Sequence, residues 1–301
     1  GQMRTLGYLV RRDTKLFFKD KGVFFTSLIA PLIILLLFIT FLGNVYRDSF
    51  LSCIPEGLTV PDSLTQGFVG GWLMSSLLAV CCVTVAFSAN MIMVQDRVTG
   101  AAGDFSVTPV KRSVMSLGYY LSTVIVTGVI CYVATGAGFL YLAFAGWYLS
   151  AADVLLVLLD VFLLVLFGTA LSSVVCHFLV SQGGIAAVST IVSSTYGFLC
   201  GAYMPIAQFS AGIQNVISFL PGTYGTTLLR NHFMRGVLSE LETTHFPSEA
   251  VDGIRDSFDN NLYFFGTRVD IPAMYLILGI SIAALVGIYV VLNVTRGKKR
   301  R

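Results

Sequence analysis

The sequence predicts an all-α integral membrane protein: six transmembrane helices, with an amphipathic helix lying in the interface ahead of them. Three observations carry the prediction. The 301 residues are 55% hydrophobic and only 12% charged, with a mean hydropathy of +0.81, which leaves too little polar surface to coat a water-soluble globule. Several apolar runs approach the ~20 residues a helix needs to cross about 30 Å of hydrocarbon. Those runs, LIAPLIILLLFITFL and VLLVLLDVFLLVLF among them, do not alternate apolar with polar residues as the strands of a membrane barrel must.

Residues 1–22 come first, as a basic helix with an apolar side. Arg4, Arg11, Arg12, Lys15, Lys19 and Lys21 are interleaved with Leu6, Leu9, Val10, Leu16, Phe17 and Phe18. The pattern suits a helix in the headgroup layer with its cations toward anionic lipid, rather than a signal peptide. The plainer reading is a basic flank that only sets topology. The first span covers 23–46, with Pro31 near its start, where lost backbone bonding is most easily tolerated. A loop containing Pro55 and Pro61 leads to the second span at 67–94, whose Gly70, Gly71, Ser75, Ser76 and Ala79 suit close helix packing.

Spans three, four and five follow at 115–144, 154–180 and 185–203, the last two joined by the turn SQGG. Residues 204–230 have proline and glycine at both edges, which argues against a full crossing and for two re-entrant half-helices buried in protein. Residues 236–270 form the largest soluble piece, with a short helix at 248–258 capped by Ser248. The sixth span, 271–294, is followed by RGKKRR. With the amino terminus in the cytoplasm, fourteen Lys and Arg lie inside and five (Arg47, Arg230, Arg235, Arg255 and Arg268) lie outside. That asymmetry puts both termini in the cytoplasm and 236–270 outside the cell.

The segment 95–114 stands apart, because it is polar, sits between spans and is too short to be a domain. It reads as a short helix presented to something outside the membrane, against the bland alternative of a solvated loop. Other chemistry lacks its residues. Cys81, Cys82, Cys131, Cys176 and Cys200 fall within or at the ends of spans, and only Cys53 lies in an external loop, so no disulfide framework is indicated. His177, His232 and His245 are scattered, no CxxC or HExxH occurs, and a metal site is not expected. The chain has no GxxxxGK[ST] phosphate loop, and nothing in it calls for nucleic acid. Asp160, about two turns into the fourth span, is expensive unless paired, protonated or facing water. Either it lines a pathway and meets a cationic group, or it bonds to Thr or Tyr on a neighbouring helix.

The order of basic helix, two spans, charged loop, three spans, re-entrant hairpin, external loop and last span resembles the permease subunits of ABC-2 type transporters. Their loop typically reads E-R-E-x-G-T-L-E-x-L-L-x-[ST]-P. Here Asp96-Arg97 stands for its first pair, Gly100 for the glycine and Thr108-Pro109 for its end, whereas Val98, Ala101 and Gly103 depart from it. Gly201 to Pro205 (GAYMP) resembles the family's exit from span five, and Pro221 through Tyr224 to Arg230 its second re-entrant segment.

The resemblance implies an ATPase subunit in trans that binds ATP and Mg, and a homodimeric permease in a bacterial or archaeal cell membrane. It implies a coupling loop in which Phe105 is the anchor and Asp96, Arg97 and Asp104 are polar fixings. It also implies export of an amphipathic drug, peptide or lipid, with polysaccharide export as the alternative. A passive channel or an intramembrane enzyme finds less support, since the spans carry neither a ring of like charges nor a paired nucleophile and base.

Overall fold

The computed structural model describes residues 1–244 and 246–298, so His245 and the basic residues Lys299, Arg300 and Arg301 lie outside it. It is almost wholly helical. Helix α1 (Gln2–Lys19) is the basic helix; Asp20 ends it and caps the next, its side chain accepting from the Val23 amide at 3.2 Å. Helices α2 (Lys21–Ser27), α3 (Ile29–Leu37) and α4 (Gly43–Ser52) follow nearly end to end, with a π-helical turn at Phe38–Leu42 between the last two.

Helix α5 (Asp62–Val98) runs on for 37 residues and leads into the short α6 (Ala101–Ser106). Helices α7 (Arg112–Ala145) and α8 (Ala151–His177) come next. A reciprocal pair of bonds between Ser150 and Asp153 starts α8, the side chain of each residue meeting the backbone amide of the other. Helix α9 (Gln182–Leu199) precedes a broken stretch, a 3₁₀ turn at Ile206–Gln208 and then α10 (Ala211–Ile217). Helices α11 (Pro221–Thr244) and α12 (Ser248–Ser257) lead to a small antiparallel hairpin, β1 (Leu262–Phe264) and β2 (Thr267–Val269), and α13 (Ile271–Lys298) closes the chain.

Among the described residues, five helices are long and apolar enough to cross a membrane: Ile29–Ser52, Asp62–Val98, Arg112–Ala145, Ala151–His177 and Ile271–Arg296. Helix α9, where a fifth of six spans is expected, is only 18 residues long and does not join them. The second half of the broken region also departs from expectation. Helix α11 does not stop at Arg230 but runs to Thr244, so the polar segment expected from 236 begins as its last turns. Pro221 opens α11, where a missing N–H costs least.

The bundle is built around α5. In its most apolar stretch 89% of the residues are buried inside the chain, against 11% for α13, and α7, α8, α9 and α11 all pack on it. A helix buried on every side must satisfy its polar groups from its neighbours, because no water reaches them. Asn90 shows how. Its amide donates to Ser172 Oγ at 2.6 Å and Ser173 Oγ at 3.0 Å on α8, and its carbonyl accepts from Thr123 Oγ1 on α7 at 2.9 Å. All four side chains are buried.

Replacing Asn90 with Val strips three polar groups of their partner, at a cost of about 1–3 kcal/mol. Asn90→Val therefore melts several degrees lower in detergent, while Thr190→Val on the exposed side of α9 does not; equal melting temperatures would remove the hub from the fold.

Candidate functional site

Helix α5 carries a charged cluster toward each end. Ser76 and Asp96, one in each cluster, are 20 residues apart, about 30 Å along a helix.

The first cluster joins α5 to α1. Asp96 is buried and receives both arms of Arg12, Nη1 at 2.8 Å and Nη2 at 2.9 Å, and its Oδ2 also accepts from the Tyr119 hydroxyl at 2.7 Å. A two-pronged guanidinium–carboxylate contact fixes orientation as well as distance. The hydrogen bond to Asp96 holds the Arg12 guanidinium above its ordinary pKa. Arg12 also contacts Asp13 at 2.8 Å. Burial pushes the Asp13 carboxyl up to about 6, with Asp96 adding to the rise and Arg12 opposing it. The guanidinium carbon of Arg12 lies 5.2 Å from the centre of the Phe105 ring on α6, within cation–π range.

Arg97 turns the other way. Its Nη1 donates to the carbonyls of Cys176, His177 and Leu179 at 2.9, 3.0 and 3.3 Å, satisfying the carbonyl end of α8. Both members of the Asp96-Arg97 pair, expected as polar fixings for a partner, are thus committed inside the chain.

What faces outward is α6 and the turn after it. Gly100, with φ +85°, takes the left-handed turn that separates α6 from α5. Thr108 Oγ1 donates back to the Phe105 carbonyl at 2.6 Å, closing the turn before Pro109. Asp104, Val107, Thr108 and Pro109 are exposed, Val107 at 86%, whereas Phe105 is half-buried on the inner side.

The second cluster gathers residues scattered over 200 positions of sequence. Arg230 on α11 is fully buried. Its Nη2 donates to Ser76 Oγ at 2.7 Å and the Gly201 carbonyl at 2.8 Å, its Nη1 reaches Asp259 Oδ2 at 3.4 Å, and its guanidinium lies 4.3 Å from the Trp72 ring centre. Asp259 accepts from the amides of Ile206 at 2.5 Å and Ala207 at 3.1 Å, the two residues after Pro205. Burial raises the Asp259 carboxyl to about 6, against the pull of Arg230 and those two amides. Gly201 has φ +77°, and a Cβ there would meet Ile206 Cγ1 at 2.8 Å, so the turn admits glycine alone. The Tyr46 ring packs at a tilt of 34° against Trp72, with ring centres 4.2 Å apart, and its hydroxyl donates to the Tyr203 carbonyl at 2.9 Å. Gly201, Pro205 and Arg230 therefore meet in one knot. Pro221 and Tyr224 sit at the start of α11, where Tyr224 donates to the Ser218 carbonyl at 2.6 Å and holds α10 against it.

Between the clusters, Asp160 on α8 is fully buried and bonded to His232 Nδ1 of α11 and to the Tyr275 hydroxyl of α13. Sequence reasoning anticipates a tyrosine partner for Asp160 but misses His232. It misses Arg12, Trp72 and Asp259 as well, and it counts Arg230 among the external cations. Two signals were present: an arginine flanked by Leu228, Leu229 and Phe233 cannot be solvated easily, and a buried arginine needs a carboxylate.

An apolar helical bundle with polar knots at both ends of its central helix and a short exposed helix hung from one end is the architecture of a multi-pass membrane permease domain. The chain matches the ABC-2 type transporter family over residues 4–234 and belongs to that family. The match takes in both arms of the Arg12–Asp96 contact, α6, Asp160 and Arg230, and stops before Asp259. No match was found among curated proteins. Permeases of this family generally pair with an ATPase subunit.

Removing Arg230 alone strands the Asp259 charge in a buried site, a change that costs about 3–5 kcal/mol. Arg230→Met should therefore lose most of its folded yield, and Arg230→Met with Asp259→Asn should recover a substantial part of it. Size-exclusion profiles of the two variants check this; a double variant no better than the single one would contradict the pairing.

Proposed function

We propose that this chain is the membrane permease of an ATP-driven exporter, working as a homodimer with a separate ATPase subunit that binds ATP and Mg. The observation that carries the reading is the two-sided character of α6. One side exposes Asp104, Val107, Thr108 and Pro109 to a partner, and the other sets Phe105 against Arg12. A push on α6 by an ATPase closing on nucleotide reaches Arg12 through the Phe105 ring, and Arg12 is bonded to Asp96 at the end of the central helix. The basic faces of α1 and the start of α7 suit the cytoplasmic side.

The cargo is an amphipathic or lipophilic compound. The entry region, RRDTKLFFKDKGVFFTSLIAPLI, resembles that branch and lacks the tryptophan motif of polysaccharide permeases. Asp160, closed off by His232 and Tyr275, ties α8, α11 and α13 together and is not offered to cargo within the monomer.

Phe105→Asp should cut substrate-dependent transport about tenfold or more in the assembled complex, as loss of the ring that links α6 to Arg12 would, while leaving the melting temperature of the permease within a degree or two. Transport and ATP hydrolysis in proteoliposomes decide it. Unchanged coupling would remove α6 from its proposed role.

A further inference from the structure

Against α6 lies a cavity of about 1010 Å³. Its walls come from the ends of α5, α7 and α13, from α6 and the turns on either side of it, and from Val180 in the turn between α8 and α9. Four cations line it, Arg97, Lys111, Arg112 and Arg296, and no acidic residue is among the lining residues described. Two of them crowd together: Arg97 Nη1 and Arg296 Nη1 both donate to the His177 carbonyl, each at 3.0 Å. Among the described residues, neither guanidinium forms an ion pair with a carboxylate. The carbonyl end of α8 offers roughly half a negative charge against two full positive ones. On the facing wall, α7 starts at Arg112 with no side chain capping its first turn, so its amides add to the positive field.

We infer that this cavity binds a phosphate-bearing anion. Two sources share that chemistry, an anionic phospholipid headgroup and free inorganic phosphate. The position favours the headgroup, because three of the walls are ends of helices long and apolar enough to cross a membrane, and cations at such ends meet anionic headgroups. The inference stands apart from the exporter reading, since it concerns binding to the permease alone.

The test is native mass spectrometry of the purified, delipidated protein, titrated separately with phosphatidylglycerol, phosphatidylcholine and inorganic phosphate. One phosphatidylglycerol per chain with no comparable binding of phosphatidylcholine assigns a headgroup. Saturable inorganic phosphate that blocks the lipid assigns the free anion. Arg296→Gln with Lys111→Gln should weaken whichever binds about tenfold or more, as the loss of charge-assisted hydrogen bonds does. The single Lys111→Gln, at an exposed position, gives a smaller loss with the fold intact. Lys15→Gln, on the exposed face of α1, should change nothing. Equal binding of both lipids, binding of neither lipid nor phosphate, or an equal loss with Lys15→Gln would overturn the inference.

Discussion

A helix buried on all sides has no water to turn to, and the central helix of this permease is buried almost throughout. Some of its buried polar side chains bond back to their own helix, as Ser75 and Thr84 do, and those that reach a neighbouring element dictate where that neighbour sits. Asn90 draws in α7 and α8, Ser76 and Trp72 receive Arg230 from α11, and Asp96 holds α1. Apolar packing between helices is not specific in a membrane, where lipid tails are as apolar as leucine. The polar contacts decide which helices meet and in what register.

The two ends of the helix use this constraint differently. Toward Arg230 the contacts form a closed knot: the guanidinium, the Asp259 carboxylate, the Ile206 amide, the Gly201 carbonyl and an indole ring are all buried, and the turn between α9 and α10 is held by Gly201 and Asp259. Toward Asp96 the cluster is only partly buried and ends in an aromatic ring on a helix that shows its other side to solvent. In the exporter reading we propose, a knot at one end and an accessible lever at the other are what let the central helix carry displacement along its length. Asp160 adds a third tie, through His232 and Tyr275, between α8, α11 and α13.

Much of this architecture is legible in the sequence, because hydrophobic length and periodicity are local signals. The interfacial helix, the long apolar helices and the short helix after Gly100 all follow from runs of residues close in the chain. The content of the clusters is not local. Asp96 and Arg97 look like a solvated pair beside a polar loop, and only the fold shows that Arg12 and the carbonyls of α8 claim them. Arg230 counts as an external cation at the end of a re-entrant half-helix, because proline and glycine mark the edges of that segment, yet α11 continues through it to Thr244 and buries it. Asp259 lies in an acidic stretch with nothing to mark it from Asp256 or Asp252. Its partner is 29 positions away, a distance over which no helical period speaks. Helix α9 fails differently: its serines and threonines lower its apolarity, so its expected role as the fifth of six crossings rests on the order of elements rather than on its own composition.

The central claim is that the Arg12–Asp96 contact carries motion between α6 and the bundle. A charge exchange tests it most directly, with ATP-driven transport measured in reconstituted membranes for Arg12→Asp, Asp96→Arg and the two combined. Each single change replaces the opposite charges of the contact with like ones and should uncouple transport from hydrolysis, whereas the combined variant restores opposite charges and should recover a substantial part of the coupling. Losses that simply add in the combined variant would contradict the account, and so would single variants that transport normally.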